Sequence, residues 1–153
     1  MSATVHASAV LVGARAVLIR GPSGAGKSQL VLDLIAAAAE RRLFGRLVGD
    51  DRVLLESAGG RLLVRPAAAL AGLIELRGAG ILRLDYEPCA VVGLVVDLAD
   101  ADAERLPESR QVVVEGISLP RLGVATGAAA LPPVLALLTL PSAGMEFELL
   151  RGC

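Results

Sequence analysis

Asparagine and tryptophan are absent from the 153 residues, and lysine and histidine occur once each, as Lys27 and His6. Aromatic residues make up 2% of the chain, too few rings for a surface that stacks unpaired bases. Fifteen basic residues face sixteen acidic ones, a formal charge of −1, so no basic field draws the chain to nucleic acid or to an acidic membrane. Cys89 and Cys153 are too few and too far apart for a zinc site or a disulfide framework. Apolar residues reach 54%, yet no run attains the roughly 18 residues a spanning helix needs. The most apolar stretch, Ala128 to Leu140, is cut by Pro132 and Pro133. No charged N-terminal region leads into an apolar core, so a secretory signal is not expected. The expectation is one globular domain over 1–153, without a separate N-terminal domain, in the cytoplasm.

What is present is skewed in a useful way. Fourteen of the fifteen basic residues are arginine. Arginine replaces lysine readily at surfaces, so the one lysine left marks a place where a compact ammonium is needed and a planar fork does not fit.

The apolar pattern predicts strands at Val10–Val12 and Ala16–Ile19 around a Gly13-Ala14 turn. A glycine-rich loop, Gly21–Gly26, then opens a helix from Lys27 to about Arg41, with Leu30, Val31, Leu34, Ile35 and Ala38 on one face. Short strands follow at Leu47–Asp50, Val53–Glu56 and Arg61–Arg65, then a connector at Pro66–Leu73 and strands at Ile74–Gly78, Ile81–Leu84 and Ala90–Leu98. Asp97–Arg110 reads as a charged surface loop. Gln111–Val114 and Ile117–Leu119 suit a hairpin, and Leu131–Leu140 fits a helix or a strand equally. Strands outnumber helices, which predicts an α/β domain with a mixed β-sheet.

Gly21-Pro22-Ser23-Gly24-Ala25-Gly26-Lys27-Ser28 fits G-x-x-x-x-G-K-[ST], the phosphate-binding P-loop, in the required strand–loop–helix setting. Its backbone N–H groups and the helix N-terminus suit phosphate oxygens, Lys27 the β- and γ-phosphates, and the Ser28 hydroxyl Mg²⁺. Asp50-Asp51 ends a strand beside this loop, so one carboxylate can serve Mg²⁺ while the other faces an acceptor hydroxyl. Glu75 can complete a Mg²⁺ shell and Arg77 can neutralise phosphate charge, although an ion pair at a strand end explains both equally well. Without asparagine the guanine-reading N-K-x-D element cannot exist, which favours ATP.

His6, the GPSGAGKS loop, LVGDDRV (Leu47–Val53) and IELRGAGIL (Ile74–Leu82) occur in an order that resembles the C-terminal catalytic domain of bacterial HPr kinase/phosphorylase. Glu75-Leu76-Arg77-Gly78-Ala79-Gly80-Ile81 stands where that family carries E-I-R-G-x-G-I. The resemblance implies a P-loop fold of the HPr kinase and phosphoenolpyruvate carboxykinase type. It implies ATP- and Mg²⁺-dependent phosphorylation of a serine on HPr, the phosphocarrier of the sugar phosphotransferase system, and a reverse phosphorolysis in many members. Asp51 matches the proton acceptor, Ser28 and Glu75 the Mg²⁺ positions, and His6 and Lys27 further catalytic positions. Arg105 matches a later catalytic arginine. The family hexamer implies a homo-oligomer, and the chain resembles the short type limited to the catalytic domain. Where members carry P-V-x-x-G-R-N, a segment linked to dephosphorylation, Leu122–Ala129 has neither Arg nor Asn, which implies weak or lost phosphorolysis. A small-molecule kinase on the same scaffold, or a module that senses ATP without transfer, are the alternatives.

Overall fold

The computed structural model describes residues 3–101 and 110–140. Strands β1 (Thr4–Val5), β2 (Ala7–Val12) and β3 (Arg15–Arg20) lead into helix α1 (Lys27–Glu40). Strands β4 (Gly45–Gly49), β5 (Val53–Ala58) and β6 (Arg61–Pro66) follow, then a 3₁₀ turn at Ala68–Leu70 and the hairpin β7 (Leu73–Leu76) and β8 (Gly80–Arg83). Strands β9 (Ala90–Leu98), β10 (Gln111–Val114) and β11 (Ile117–Val124) precede helix α2 (Leu131–Thr139). One mixed sheet of nine strands runs β1-β5-β6-β9-β3-β2-β4, with β11 beside β9 and β10 beside β11, while β7 and β8 pair apart from it.

Direction in this sheet decides where function can gather. β3 and β4 are both antiparallel to β2, and β9 and β11 run parallel to β3. The C-terminal ends of β3, β4, β9 and β11 therefore open at one end of the sheet, the place where α/β folds bind ligands.

Alternation along the strands builds a core on each face. On β3, Val17 and Ile19 join Leu30, Val31 and Leu34 of α1, while Ala16 and Leu18 face Leu62 and Val64 on the other side. On β9 the parity reverses at Gly93: Ala90 and Val92 belong to the second core, Leu94, Val96 and Leu98 to the helical one. The pairing with β3 skips a residue there, and a β-carbon on Gly93 would lie 2.6 Å from Cδ of Arg15. Helix α1 buries Leu30, Val31, Leu34, Ala37 and Ala38, one stripe at helical spacing.

Several boundaries depart from the sequence pattern. Leu131–Thr139 is a helix, with proline in its first turn where the missing N–H costs nothing. β9 keeps the expected bounds Ala90–Leu98, so of the two elements that shared Asp97 the strand holds it and the loop begins later; its carboxylate is matched by arginines from both neighbouring strands. The strand expected to stop at Leu119 continues through Pro120 to Val124. Proline sits where β11 leaves β10 and takes up β9, with Arg121 opposite Val95, so its missing N–H falls at a change of partner. Residues 102–109, Arg105 among them, lie outside the described part of the chain.

Candidate active site

The loop Gly21–Gly26 leaves β3 and turns into α1 with Gly24 at φ 83° and Gly26 at φ 99°, left-handed values that a side chain would oppose. Gly26 accepts from Leu30 N–H at 3.0 Å and so starts the helix. The first N–H groups of α1 have no intrahelical acceptor and face the hollow of the loop. Lys27 is buried, 7% exposed, and its ammonium donates to the carbonyls of Gly21 at 2.8 Å and Pro22 at 3.2 Å. Burial lowers its pKa below the ordinary 10.5, and the carboxylates of Asp51 and Asp50 oppose that shift without cancelling it.

Asp50 and Asp51 part company at the end of β4. Asp50 is 5% exposed. Its carboxylate accepts the Ser28 hydroxyl at 2.8 Å (Oδ1) and 2.9 Å (Oδ2), the Ser8 hydroxyl at 2.6 Å, and the Glu75 backbone N–H at 3.3 Å. The strand has already ended at Gly49, so pleating does not separate the two side chains. A turn does: Arg52 N–H donates to the Asp50 carbonyl at 2.8 Å with Asp51 at φ 68°. Aspartate tolerates that conformation better than most residues. The turn throws the Asp51 carboxylate to the rim, 65% exposed, where Oδ1 accepts His6 Nε2–H at 3.0 Å. β1 and β2 bring His6 there by passing alongside β5 and β4.

Ser8 went unnoticed in the sequence. It is fully buried, donates to Asp50 and accepts the Asp51 N–H at 3.3 Å, so one hydroxyl ties both aspartates. It shares strand parity with Val10 and Val12, which pack against α1. A polar residue on the helix-facing side of an apolar strand was the available sign.

Glu75 and Arg77 complete the wall. A cleft of about 380 Å³ is lined by His6, Ser8, most of the loop around Lys27 and Ser28, Asp51, Glu75 and Arg77. A β-carbon on Gly24 would fall 3.1 Å from Nη2 of Arg77, so this guanidinium lies across the phosphate loop. The Glu75 side chain is exposed to the cleft while its backbone holds Asp50. His6, Lys27, Ser28, Asp50, Asp51 and Glu75 are thus brought together from four separate stretches of chain.

This donor set suits a divalent cation. Asp50 is a buried carboxylate whose direct partners are all neutral hydroxyl and amide donors, a costly arrangement that a cation would relieve. Among the described residues no three acidic, histidine or cysteine side chains form a self-sufficient cage. Mg²⁺ does not need one, since it takes one or two carboxylates, waters and the phosphates of its nucleotide.

On the other flank of the loop, Arg20 grips Asp97 with two bonds of 2.7 and 2.8 Å, and Arg121 binds Asp97 and, at 2.7 Å, Asp100. Burial raises the Asp97 pKa, and the hydrogen bonds and charges of Arg20 and Arg121 outweigh it, leaving the carboxyl below its ordinary 3.8. For Arg121 burial works downward and the two aspartates more than reverse it, so its pKa is raised. These four side chains lock the ends of β3, β9 and β11 beneath the loop.

Among the described residues no helix is long and apolar enough to cross a membrane. The model of the HPr Serine kinase C-terminal domain matches residues 1–88. The HPr kinase/phosphorylase of Mycoplasma mycoides is 33% identical over 130 residues, 80% of this chain and 40% of that protein. The HPr kinase/phosphorylase of Streptococcus thermophilus is 34% identical over 134 residues, 79% of this chain and 41% of that one. The chain thus spans about two-fifths of the length of these curated relatives. The solved Hpr(Ser) kinase/phosphatase of Coxiella burnetii has the same fold, with a TM-score of 0.72 over 95% of this chain and 99% of that one at 23% identity. With its P-loop, its mixed sheet and a family model matched over more than half its length, the chain belongs to the HPr Serine kinase C-terminal domain family.

Proposed function

We propose that the chain is the catalytic domain of an ATP- and Mg²⁺-dependent cytoplasmic kinase that phosphorylates a serine on an HPr-type phosphocarrier. The observation that carries this reading is the split of the two aspartates. Asp50 is buried on the P-loop serine, and Asp51 stands on an open rim, accessible to a residue of another protein.

Phosphoryl transfer asks mainly for alignment and charge neutralisation. The loop N–H groups hold the β- and γ-phosphates, and the Lys27 ammonium exchanges the carbonyls of Gly21 and Pro22 for phosphate oxygens. Ser28 and Asp50 would hold Mg²⁺ with Glu75 beside them, and the ion would neutralise charge on the phosphate chain. His6 Nε2–H occupies Asp51 Oδ1 and leaves Oδ2 for the acceptor hydroxyl. As the serine oxygen bonds to the γ-phosphorus and the bond to ADP breaks, the serine proton passes to Oδ2. Transfer comes late because an alcohol is too weak an acid to ionise first. Arg77 lies where it can screen the phosphates, and Arg105 keeps the catalytic assignment that the resemblance gives it.

The reverse reaction is weak or lost in this proposal. Phosphorolysis sets inorganic phosphate beside phosphoserine, and the two anions need extra donors. Leu122–Ala129 supplies only Thr126 and backbone N–H groups. Arg121, the nearest guanidinium in sequence, is engaged by Asp97 and Asp100.

Incubation with Mg-ATP and purified phosphocarrier, followed by mass spectrometry, is the test. Phosphoserine on the carrier supports the proposal. Phosphate found only on a small hydroxyl compound makes the chain a small-molecule kinase. Tight ATP binding with no acceptor modified makes it a nucleotide sensor.

A further inference from the structure

The pairing of β2 with β4 slips by one residue just before it reaches the site. Val10 lies opposite Leu47, and Ala9 then lies opposite Gly49, so Val48 is passed over. Carried one step further, the shifted register sets Ser8 across from Asp50, where the unshifted one would set it across from Gly49. Bulges of this kind re-aim a side chain, and here it is a hydroxyl on the strand face that Val10 and Val12 make apolar. We infer that Ser8 is a positioning residue: its hydroxyl, anchored on Asp50, fixes the turn that holds the Asp51 carboxylate against His6. The inference rests on the reading of Asp51 as proton acceptor proposed above and adds what keeps that carboxylate in place.

The direction of the two bonds is forced. An ionised carboxylate only accepts and a backbone N–H only donates. The Ser8 proton therefore goes to Asp50 Oδ1 at 2.6 Å, and a lone pair of the same oxygen takes the Asp51 N–H at 3.3 Å. Donation to an anion polarises the hydroxyl and strengthens it as an acceptor. Ser8 is fully buried and Asp50 nearly so, which keeps water from competing for the first bond.

Asp51 needs that hold. At φ 68° its backbone sits where it persists only if the surroundings fix it. Arg52 N–H closes the turn on the Asp50 carbonyl, and among the described residues the Ser8 hydroxyl is the acceptor that the Asp51 N–H itself meets. The carboxylate beyond is largely exposed, so no packing from outside steadies it. A reacting group displaced by about 1 Å can cost about 10²-fold in rate, and the loss of one restraint among several should cost about tenfold.

The one histidine of the chain is the reporter. Imidazole ¹H–¹⁵N spectra of the full chain without nucleotide are compared for the wild type, Asp51→Gly, Ser8→Ala, Ser8→Cys and Ser8→Thr. Glycine accepts the positive φ and removes the carboxylate, so Asp51→Gly marks a released His6. The Ser8→Ala signals should move toward those of Asp51→Gly, and Ser8→Cys, a weak hydrogen-bonding group of similar size, should follow. Ser8→Thr keeps the hydroxyl and should stay near the wild type. With Mg-ATP and phosphocarrier, Ser8→Ala should lower kcat about tenfold and leave the KM for Mg-ATP within about twofold, and Ser8→Thr should recover kcat to within about threefold of the wild type. Imidazole signals unmoved in both the alanine and the cysteine variant, an equal shift in Ser8→Thr, an unchanged kcat, or a loss confined to the KM for Mg-ATP would overturn the assignment. If Ser8→Ala does not fold, Ser8→Cys carries the comparison. A wild type that transfers no phosphate removes the proton-acceptor reading, and the imidazole signals still decide whether Ser8 holds Asp51.

Discussion

Asp50 and Asp97 leave the sheet on either side of the P-loop strand, at the C-terminal ends of β4 and β9, and their partners differ in kind. Asp97 lies between two guanidiniums, so its charge is spent inside the fold. Asp50 receives two hydroxyls and one backbone N–H and, among the described residues, touches no cationic side chain. A carboxylate already matched by arginine is a structural part with little left to offer a ligand. One solvated only by neutral donors stays available for a cation that arrives with substrate, and it makes the apo fold bear the cost of its burial. In the function proposed above, the β9–β11 flank is scaffold and the β2–β4 flank is chemistry.

Substitutions can break that contrast. The largest effect belongs to the chemical flank: Asp51→Asn should bind Mg-ATP nearly normally and lose about 10²–10⁴-fold in transfer, because shape stays and basicity goes. A transfer rate within threefold of wild type would remove Asp51 as the proton acceptor. Asp50→Asn should lose about 10²–10³-fold in transfer, with a melting temperature equal to or above that of the wild type, since a buried charge with no cation in contact is gone and the Lys27 ammonium acts on it only at a distance.

Asp97→Asn should do the reverse. Breaking its pairs should cost about 2–3 kcal/mol of stability, less than for a fully buried pair because Arg20 is partly exposed. The transfer rate of the folded fraction should change little. The folded-state pKa of Asp97 lies below 3.8. Its stabilisation is therefore present above about pH 4 and is lost as pH falls through the lowered value. Urea melts between pH 5 and pH 3 should show a shallower acid loss in Asp97→Asn than in the wild type. An Asp50→Asn that unfolds beside a stable Asp97→Asn would invert the two flanks.

The smallest effect sharpens the boundary. Ser8→Ala should lower transfer about tenfold, because Asp50 loses one donor and the Asp51 N–H loses its acceptor. Ser8→Thr should restore most of it, and equal losses in both would point to packing alone.

The P-loop was fully legible because it is a local device: glycines, a lysine and a serine in fixed order build it wherever a strand meets a helix. The Asp50-Asp51 pair stood out at a strand end beside the loop, but His6 was singled out only through the family pattern, since 45 positions separate it from Asp51 in the chain. Asp97 fell where the expected strand Ala90–Leu98 and the expected loop Asp97–Arg110 overlap, and the strand holds it. Its partners lie on β3 and β11, and a charged residue at a strand end looks like a loop until the arginines opposite are known. Leu131–Leu140 was undecided because a short apolar run with prolines near its start satisfies helix and strand alike.

Composition left no run long enough for a spanning helix and too few cysteines for a disulfide framework, the one lysine and its glycines marked the phosphate loop, and alternating apolar residues marked most strands. Each of these follows from covalent neighbours within a few residues. The direction of β4 relative to β3, the turn at Asp51 and the meeting of Ser8 with both aspartates were decided only by the fold. These depend on which strands pair and on where buried charge finds a donor. One sequence pattern, two adjacent aspartates after a strand, thus became a buried carboxylate and an exposed one, because the tertiary structure surrounded the first with donors and left the second to solvent.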